Sequence, residues 1–321
     1  MTNTYKPEGM LIGTAENREF ISSLSGLERA RDIGKILEAT VLLCDSSMRL
    51  HVDLYGIEGI IEKNECVYCK DGETVKDIAI ITRVGKPVAF KIMEIVYENG
   101  RPVARLSRRQ AQLDCMQNYL SDIITGDIIP ARVTHLENFG AFVDIGCGIA
   151  SLLSVDSISV SRISHPKDRL KIGDNIYAVV KTIDRENDRI FVSMRELLGT
   201  WSENAACFEV GQTVSGIVRS IESYGVFVEL APNLAGLAEI REGTRDGEVA
   251  VVGSHVAVYI KSIIPDRMKI KLVLIDSYKG EVPLSGIKYY IDCENTFHIN
   301  SWRYSPAGAC KVVESTFSSA F

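Results

Sequence analysis

Between Gly126 and Arg195 apolar and polar residues alternate in runs of strand length, interrupted at Asn138-Phe139-Gly140 and at Asn187-Asp188, with glycines at the turns. The first half predicts two strands bent around Asn138-Phe139-Gly140, and the second a pair of strands meeting at Asn187-Asp188. Short strands punctuated this often make a small β-barrel.

The pattern repeats. Against this stretch, Gly211 matches Gly126, Val218 matches Val133, and Tyr224-Gly225-Val226-Phe227-Val228 matches Phe139-Gly140-Ala141-Phe142-Val143. Gly253 and Lys269-Ile270-Lys271-Leu272 then follow Gly173 and Arg189-Ile190-Phe191-Val192. A worn copy precedes both: Val52-Asp53 parallels Val143-Asp144, Gly85 parallels Gly173, and Leu106-Ser107-Arg108-Arg109 parallels Val192-Ser193-Met194-Arg195. Its two aromatic positions hold Met48 and His51, so it is expected to serve architecture or protein contacts. Repetition at a near-constant period marks an array of modules.

Between the barrels the period changes to that of helices. Leu24, Leu27, Ala30, Ile33 and Leu37 predict a packing helix, and Leu113, Met116, Gln117 and Leu120 a helical linker that starts at the capping pattern Ser107-Arg108-Arg109-Gln110. Thr200-Trp201-Ser202-Glu203 is a second capping pattern, with Trp201 expected to pack between domains. The expected order is an N-terminal tail and helix (1–33), a degenerate barrel (34–108), a helical linker (109–124), a barrel (125–195), a linker (196–208), a barrel (209–275) and a C-terminal hairpin and tail (276–321). The hairpin is expected to pair 287–291 with 298–304.

Gly126, Val133, Phe139-Gly140-Ala141-Phe142-Val143-Asp144, Gly148, Leu152-Leu153, Gly173, Asp184 and Arg189-Ile190-Phe191-Val192-Ser193-Met194-Arg195 resemble the S1 RNA-binding domain family. The repeat arrangement is similar to that of the short multi-domain ribosomal S1 proteins of Gram-positive bacteria. The resemblance implies an all-β chain of tandem five-stranded OB-fold barrels joined by short helical linkers, whose exposed strand face binds oligonucleotides. It further implies a non-catalytic, single-stranded RNA or mRNA-binding protein that acts in translation with the small ribosomal subunit. The alternatives are an RNA chaperone or an RNA-decay or stress regulator not stably bound to ribosomes.

Single-strand binding needs an aromatic platform beside cations, because every base has a π-face and every linkage a phosphate. The resemblance assigns the aromatic pair to Phe139 and Phe142 and, in the last barrel, to Tyr224 and Phe227. Three residues apart on a regular strand they would face opposite ways, and a bend or bulge at Gly140 or Gly225 is expected to bring them to one surface. Arg189 and Lys269 fall where the family carries a basic contact residue, and Arg132, Lys181, Arg219, Lys261 and Lys271 are candidate phosphate partners. Where the family usually has a histidine, this chain has Ser154 and Glu239. Its closing-turn acid is Asp184, matched in the last barrel only by Asp266 in a shifted register. The central barrel is therefore expected to bind RNA best.

A chain of 321 residues, 46% hydrophobic and 24% charged, has room for several cores, and no apolar run is long enough for a membrane span. With no signal-peptide pattern at the start, the expected location is cytoplasmic. A net charge of −6 argues against clamping duplex DNA by bulk charge but leaves single-strand binding open. Of the eight cysteines only Cys66 and Cys69 have metal-ligand or redox spacing, and no second pair completes a zinc site. No P-loop, HExxH or GxSxG occurs, so neither catalytic residues, metal nor cofactor is expected. An RNA-processing or redox enzyme using Cys66 and Cys69 is the alternative from another class.

Overall fold

The computed structural model describes residues 5–69, 74–239, 251–278 and 286–317, so the outermost residues of both expected tails lie outside it. The chain divides into two compact units. The first takes in the described residues of Met1–Ile123 with Pro130–Arg132 and Asp144–Ala150, and the second Ile124–Ile129, Val133–Val143 and Ser151–Phe321.

In the first unit, α1 (Ala15–Ile21) and α2 (Leu24–Asp32) precede the strands β1 (Leu37–Cys44), β2 (Leu50–Leu54) and β3 (Ile57–Ile61). A short α3 (Asp77–Ile81) leads to β4 (Pro87–Glu98) and β5 (Arg101–Ser107), and α4 (Arg108–Cys115) runs on into a π turn at Met116–Leu120. The strands close a barrel in the order β1-β2-β3-β5-β4. The single N-terminal helix expected from the 24–37 periodicity is replaced by two capped helices: Thr14 Oγ1 accepts from the Asn17 amide at 3.2 Å, and Ser23 Oγ from Gly26 at 3.1 Å. Leu27 and Ala30 join the barrel core, but Ile33 is exposed and Leu37 already belongs to β1. Gly34, at φ +63°, stops the helix in the left-handed conformation that glycine adopts without penalty.

A buried polar cluster organises this unit. Glu8 binds Arg108 through Nε at 2.6 Å and Nη2 at 3.0 Å, and the Glu8 amide donates to Asp144 Oδ2 at 2.6 Å. Asp144 also accepts from the amides of Gly146 and Gly148. A Cβ on Gly148 would lie 1.9 Å from Arg108 Nη2, which explains why only glycine fits.

The second barrel comprises β6 (Ile128–Glu137), β7 (Gly140–Asp144), β8 (Ala150–Ser154), β9 (Asn175–Asp184) and β10 (Arg189–Ser193), closed in the order β10-β8-β7-β6-β9. After α5 (Trp201–Ala205) come β11 (Thr213–Glu222), β12 (Gly225–Ala231), β13 (Leu234–Glu239), β14 (His255–Ile264) and β15 (Lys269–Tyr278), closed as β11-β12-β13-β15-β14. In all three barrels the third and fifth strands pair in parallel and the other printed pairs are antiparallel, the OB-fold arrangement.

Both capping patterns are used, but differently. Thr200 and Glu203 form the full reciprocal box, whereas Ser107 caps the Gln110 amide while the Gln110 side chain turns to Asp114. Trp201 is buried with the third-barrel core, beside Trp302 and Tyr304. The C-terminal hairpin is formed by β16 (Ser301–Arg303) and β17 (Glu314–Thr316), not by 287–291 with 298–304. The 287–291 stretch has another use: the Tyr289 hydroxyl accepts from the Tyr177 amide at 2.9 Å, and Tyr289 and Ile291 pack against a cluster that contains Val179.

Candidate nucleic-acid interface

Phe139 lies in the two-residue turn before β7, and Tyr224 in the corresponding turn before β12. That placement, rather than a bulge at the glycine, brings both rings to one surface: a turn residue is free of the strand's alternation, while Phe142 points outward between buried Ala141 and Val143. The glycines have a different task. A Cβ on Gly140 would stand 2.5 Å from the Leu153 carbonyl oxygen, and one on Gly225 2.8 Å from that of Ala238, so both positions admit the close approach of the third strand.

The two pairs have nearly the same geometry. Phe139 and Phe142 meet edge to face with centroids 6.0 Å apart at 89°, and Tyr224 and Phe227 at 6.2 Å and 88°. Phe139 is 55% and Tyr224 63% exposed, while Phe142 and Phe227 are half-buried. An edge-to-face pair with one free ring is a ready surface on which a base can stack. His135, also exposed, brings its ring within 6.5 Å of Phe142.

Around the third barrel the outward residues in register run Ser220, Phe227, Leu237, Lys271, Ser262. In the second, Leu152, Phe191 and Thr182 continue the same row, and in the first the register reads Leu43, His51, Ile60, Arg105, Glu94, with Ile60 buried. Beside the row each fourth strand carries a bulge, and its extra residue is Lys181, Lys261 or Met93. Lys181 Nζ donates to Ser157 Oγ at 3.0 Å, which also accepts from Ser154 Oγ at 2.8 Å, so its partner there is a neutral hydroxyl. Lys261 instead faces Glu239 at 3.9 Å, which lowers the positive potential at that point.

Arg189 and Lys269 are exposed at the turn ends of their hairpins, in register with Asp184 and Ile264. Asp184 accepts from the Asn187 side chain and amide, and these hydrogen bonds hold its carboxyl below the ordinary range. Two expected cations lie elsewhere. Arg219 is nearly buried, bound to Glu229 at 2.8 Å and near Asp168 at 3.5 Å, and Arg132 lies against Gly9, whose ideal Cβ would be 3.0 Å from its guanidinium carbon. The position of Arg219 on β11 carries no mark in the sequence of the acids that enclose it.

Lys271, a phosphate partner expected from the sequence, and Phe191, expected only as a motif residue, occupy one repeat position and differ in chemistry. The strand register makes them equivalent. In the first barrel Arg105 holds that position and is paired with Glu62 at 3.0 Å and with Glu98, while His51 bonds Glu58 at 2.8 Å and Asp45 at 3.2 Å. The Arg105 charge is neutralised by acids that would repel phosphate, and no aromatic pair stands in the turn.

Cys66 is buried with its thiol pushed up to about 12, first by desolvation, and it points at the carbonyls of Glu62 and Ile61. A thiol so held is protonated at neutral pH and a poor nucleophile or ligand. Among the described residues no three His, Cys, Asp or Glu side chains are grouped to hold a metal ion, and no helix is long and apolar enough to cross a membrane.

Residues 122–195 match the family model of the S1 RNA binding domain. Small ribosomal subunit protein bS1 of Staphylococcus aureus (strain COL) is 32% identical over 208 residues, covering 62% of this chain and 52% of that protein. The protein of the same name from Chlamydia muridarum is 28% identical over 224 residues, 68% of this chain and 38% of its own length. The chain thus spans about half or less of these relatives. A multidomain protein with nucleic acid binding domains from Streptococcus pneumoniae is 16% identical, over 76% of this chain and 74% of that one, with a TM-score of 0.24.

Proposed function

We propose, for a chain whose residues 122–195 are an S1 RNA-binding domain, that the protein binds single-stranded RNA without catalysis through its second and third barrels. The observation that carries this reading is the repeated platform: an exposed turn aromatic set edge-on against an outward strand phenylalanine, in two barrels of one chain. Bases stack on Phe139 and Phe142, with Lys181 and Arg189 near the phosphates. Tyr224 and Phe227 repeat the arrangement with Lys269, Lys271 and a partly neutralised Lys261. The second barrel is the stronger site, since Lys181 faces serines where Lys261 faces a carboxylate. The first barrel, closed by its own ion pairs, contributes architecture or protein contacts.

Several weak barrels on one chain raise the local concentration of each for the same strand, and so the avidity. The bS1 relatives support a cytoplasmic role in translation, on mRNA at the small ribosomal subunit. The test is a titration of fluorescent RNA of about 15 to 30 nucleotides against a duplex of the same length, at two salt concentrations. Preference for the single strand supports the reading, and equal binding or none overturns it. Co-sedimentation with small subunits or polysomes then separates a translation protein from a chaperone or decay factor.

A further inference from the structure

Residues 286–317 continue no barrel, yet they touch both barrels of the second unit. On the second barrel, the Tyr289 hydroxyl accepts from the Tyr177 amide, the Ile128 amide donates to the Phe297 carbonyl at 2.9 Å, and the Ile299 amide donates to that of Gly126 at 2.9 Å. His298 adds an Nδ1 contact of 2.8 Å to Asp127. On the third barrel, Trp302 and Tyr304 enter the core beside Trp201 and Val218, and the Cys310 amide donates to the Asp266 carbonyl at 2.9 Å. The segment then returns, with Ser315 bonded to Glu196 at 2.8 Å and Phe317 packed among second-barrel residues.

It closes over a direct contact that has its own centre. Asn233, in the β12–β13 turn and fully buried, accepts from the Val160 amide and donates to the carbonyls of Arg195 and Gly199, each at 2.9 Å. The Tyr304 hydroxyl donates to the Asn233 carbonyl at 2.5 Å, so the segment is tied to the same residue that joins the barrels. Arg169, near the second barrel, shares Glu229 with Arg219 of the third, and both arginines are about nine-tenths buried. Buried polar groups bonded to one another in this way favour one arrangement, because a slip would leave the Arg169, Arg219 and Glu229 charges unpaired.

We infer that residues 286–317 act as a clasp that holds the second and third barrels as one RNA-reading body, so that a single strand meets both platforms at a constant spacing. The inference rests on the RNA-binding reading above. A fixed spacing removes the cost of ordering two tethered domains at the moment of binding. RNA affinity then rises in a step once a strand is long enough to reach the second platform, instead of gradually with length.

Two full-length variants test it without emptying a hydrophobic core. Tyr304→Phe with Asn233→Ala removes the central tie, and Tyr289→Phe with His298→Ala loosens the foothold on the second barrel. RNA of about 5 nucleotides, which fits one OB-fold, should bind all forms alike and reports that the barrels are intact. On strands of about 20 nucleotides the variants should lose about tenfold or more of the wild-type affinity and the step with it. Hydrogen exchange supplies an arm independent of RNA: in Tyr289→Phe/His298→Ala the Val160 amide, which neither residue touches, should exchange faster. Unchanged long-strand affinity together with unchanged Val160 protection overturns the clasp. Wild-type protein that binds no RNA overturns the function proposed above, and the exchange result alone then decides the clasp.

Discussion

Lys271 of the third barrel holds the position that Phe191 holds in the second, each paired in parallel with the leucine, Leu237 or Leu152, of the neighbouring strand. One repeat position thus carries a charge in one barrel and a ring in the other, on rows that otherwise match.

The difference predicts two kinds of loss. Lys271→Ala should weaken RNA binding and lower the slope of log affinity against log salt by about 1, as loss of one phosphate contact does. Phe191→Ala should cost about 1 kcal/mol with the salt slope unchanged, as loss of a stacking surface does. Titrations of both variants at three salt concentrations check the pair.

On the first barrel, Arg105→Ala and His51→Ala should leave RNA affinity within about 0.5 kcal/mol of wild type, the range of surface changes away from a site. The salt bridges of Arg105 to Glu62 and Glu98 and the hydrogen bond between His51 and Glu58 already occupy that face. A larger loss in direct binding would place RNA on the first barrel.

The three-barrel architecture was legible because strand alternation, turn glycines and repetition all point the same way, and the closed barrels confirm it. The aromatic positions were legible too, but the reason for their shared surface was not. A bulge and a turn residue look alike in sequence, and only the backbone shows Phe139 and Tyr224 in turns. Arg132 and Arg219 illustrate the other limit: a cation next to a motif does not reveal whether distant acids or loops have claimed it, as Glu229 has claimed Arg219. The C-terminal pairing failed for a related reason: Tyr289 finds a tertiary partner in Tyr177 that outweighs local strand propensity, and the Trp302 strand pairs with 314–316 instead.

Gly148→Ala should destabilise the first unit by more than about 2 kcal/mol. Its φ of +80° strains any side chain, and the new methyl would overlap the Arg108 guanidinium that Glu8 holds. Urea unfolding followed by hydrogen exchange in residues 74–123 measures it.

Burial raises the Asp144 carboxyl to about 7, with Glu8 repulsion adding to it against the backbone amides and Arg108. Glu38 is raised to about 7 by burial as well, against the amides of Leu11, Ile12 and Gly9 that it accepts from. Both folded values lie above the ordinary carboxylate range of about 4, so the folded state holds protons the unfolded chain releases. Their stabilisation is therefore full below about pH 4 and is lost as pH rises through about 7. The expected outcome is a steeper fall in the urea midpoint of the first unit from pH 5 to pH 8 in wild type than in Asp144→Asn. Equal slopes would contradict the assignment.

The most direct measurement is the affinity of an unstructured RNA of about 20 nucleotides for wild type and for Phe139→Ala/Phe142→Ala, with folding checked by circular dichroism. A loss of more than about 1 kcal/mol in a folded variant is predicted, from the stacking lost at the stronger platform. Undiminished affinity in the folded variant would contradict the account, because RNA would then be held by some surface other than the paired aromatics.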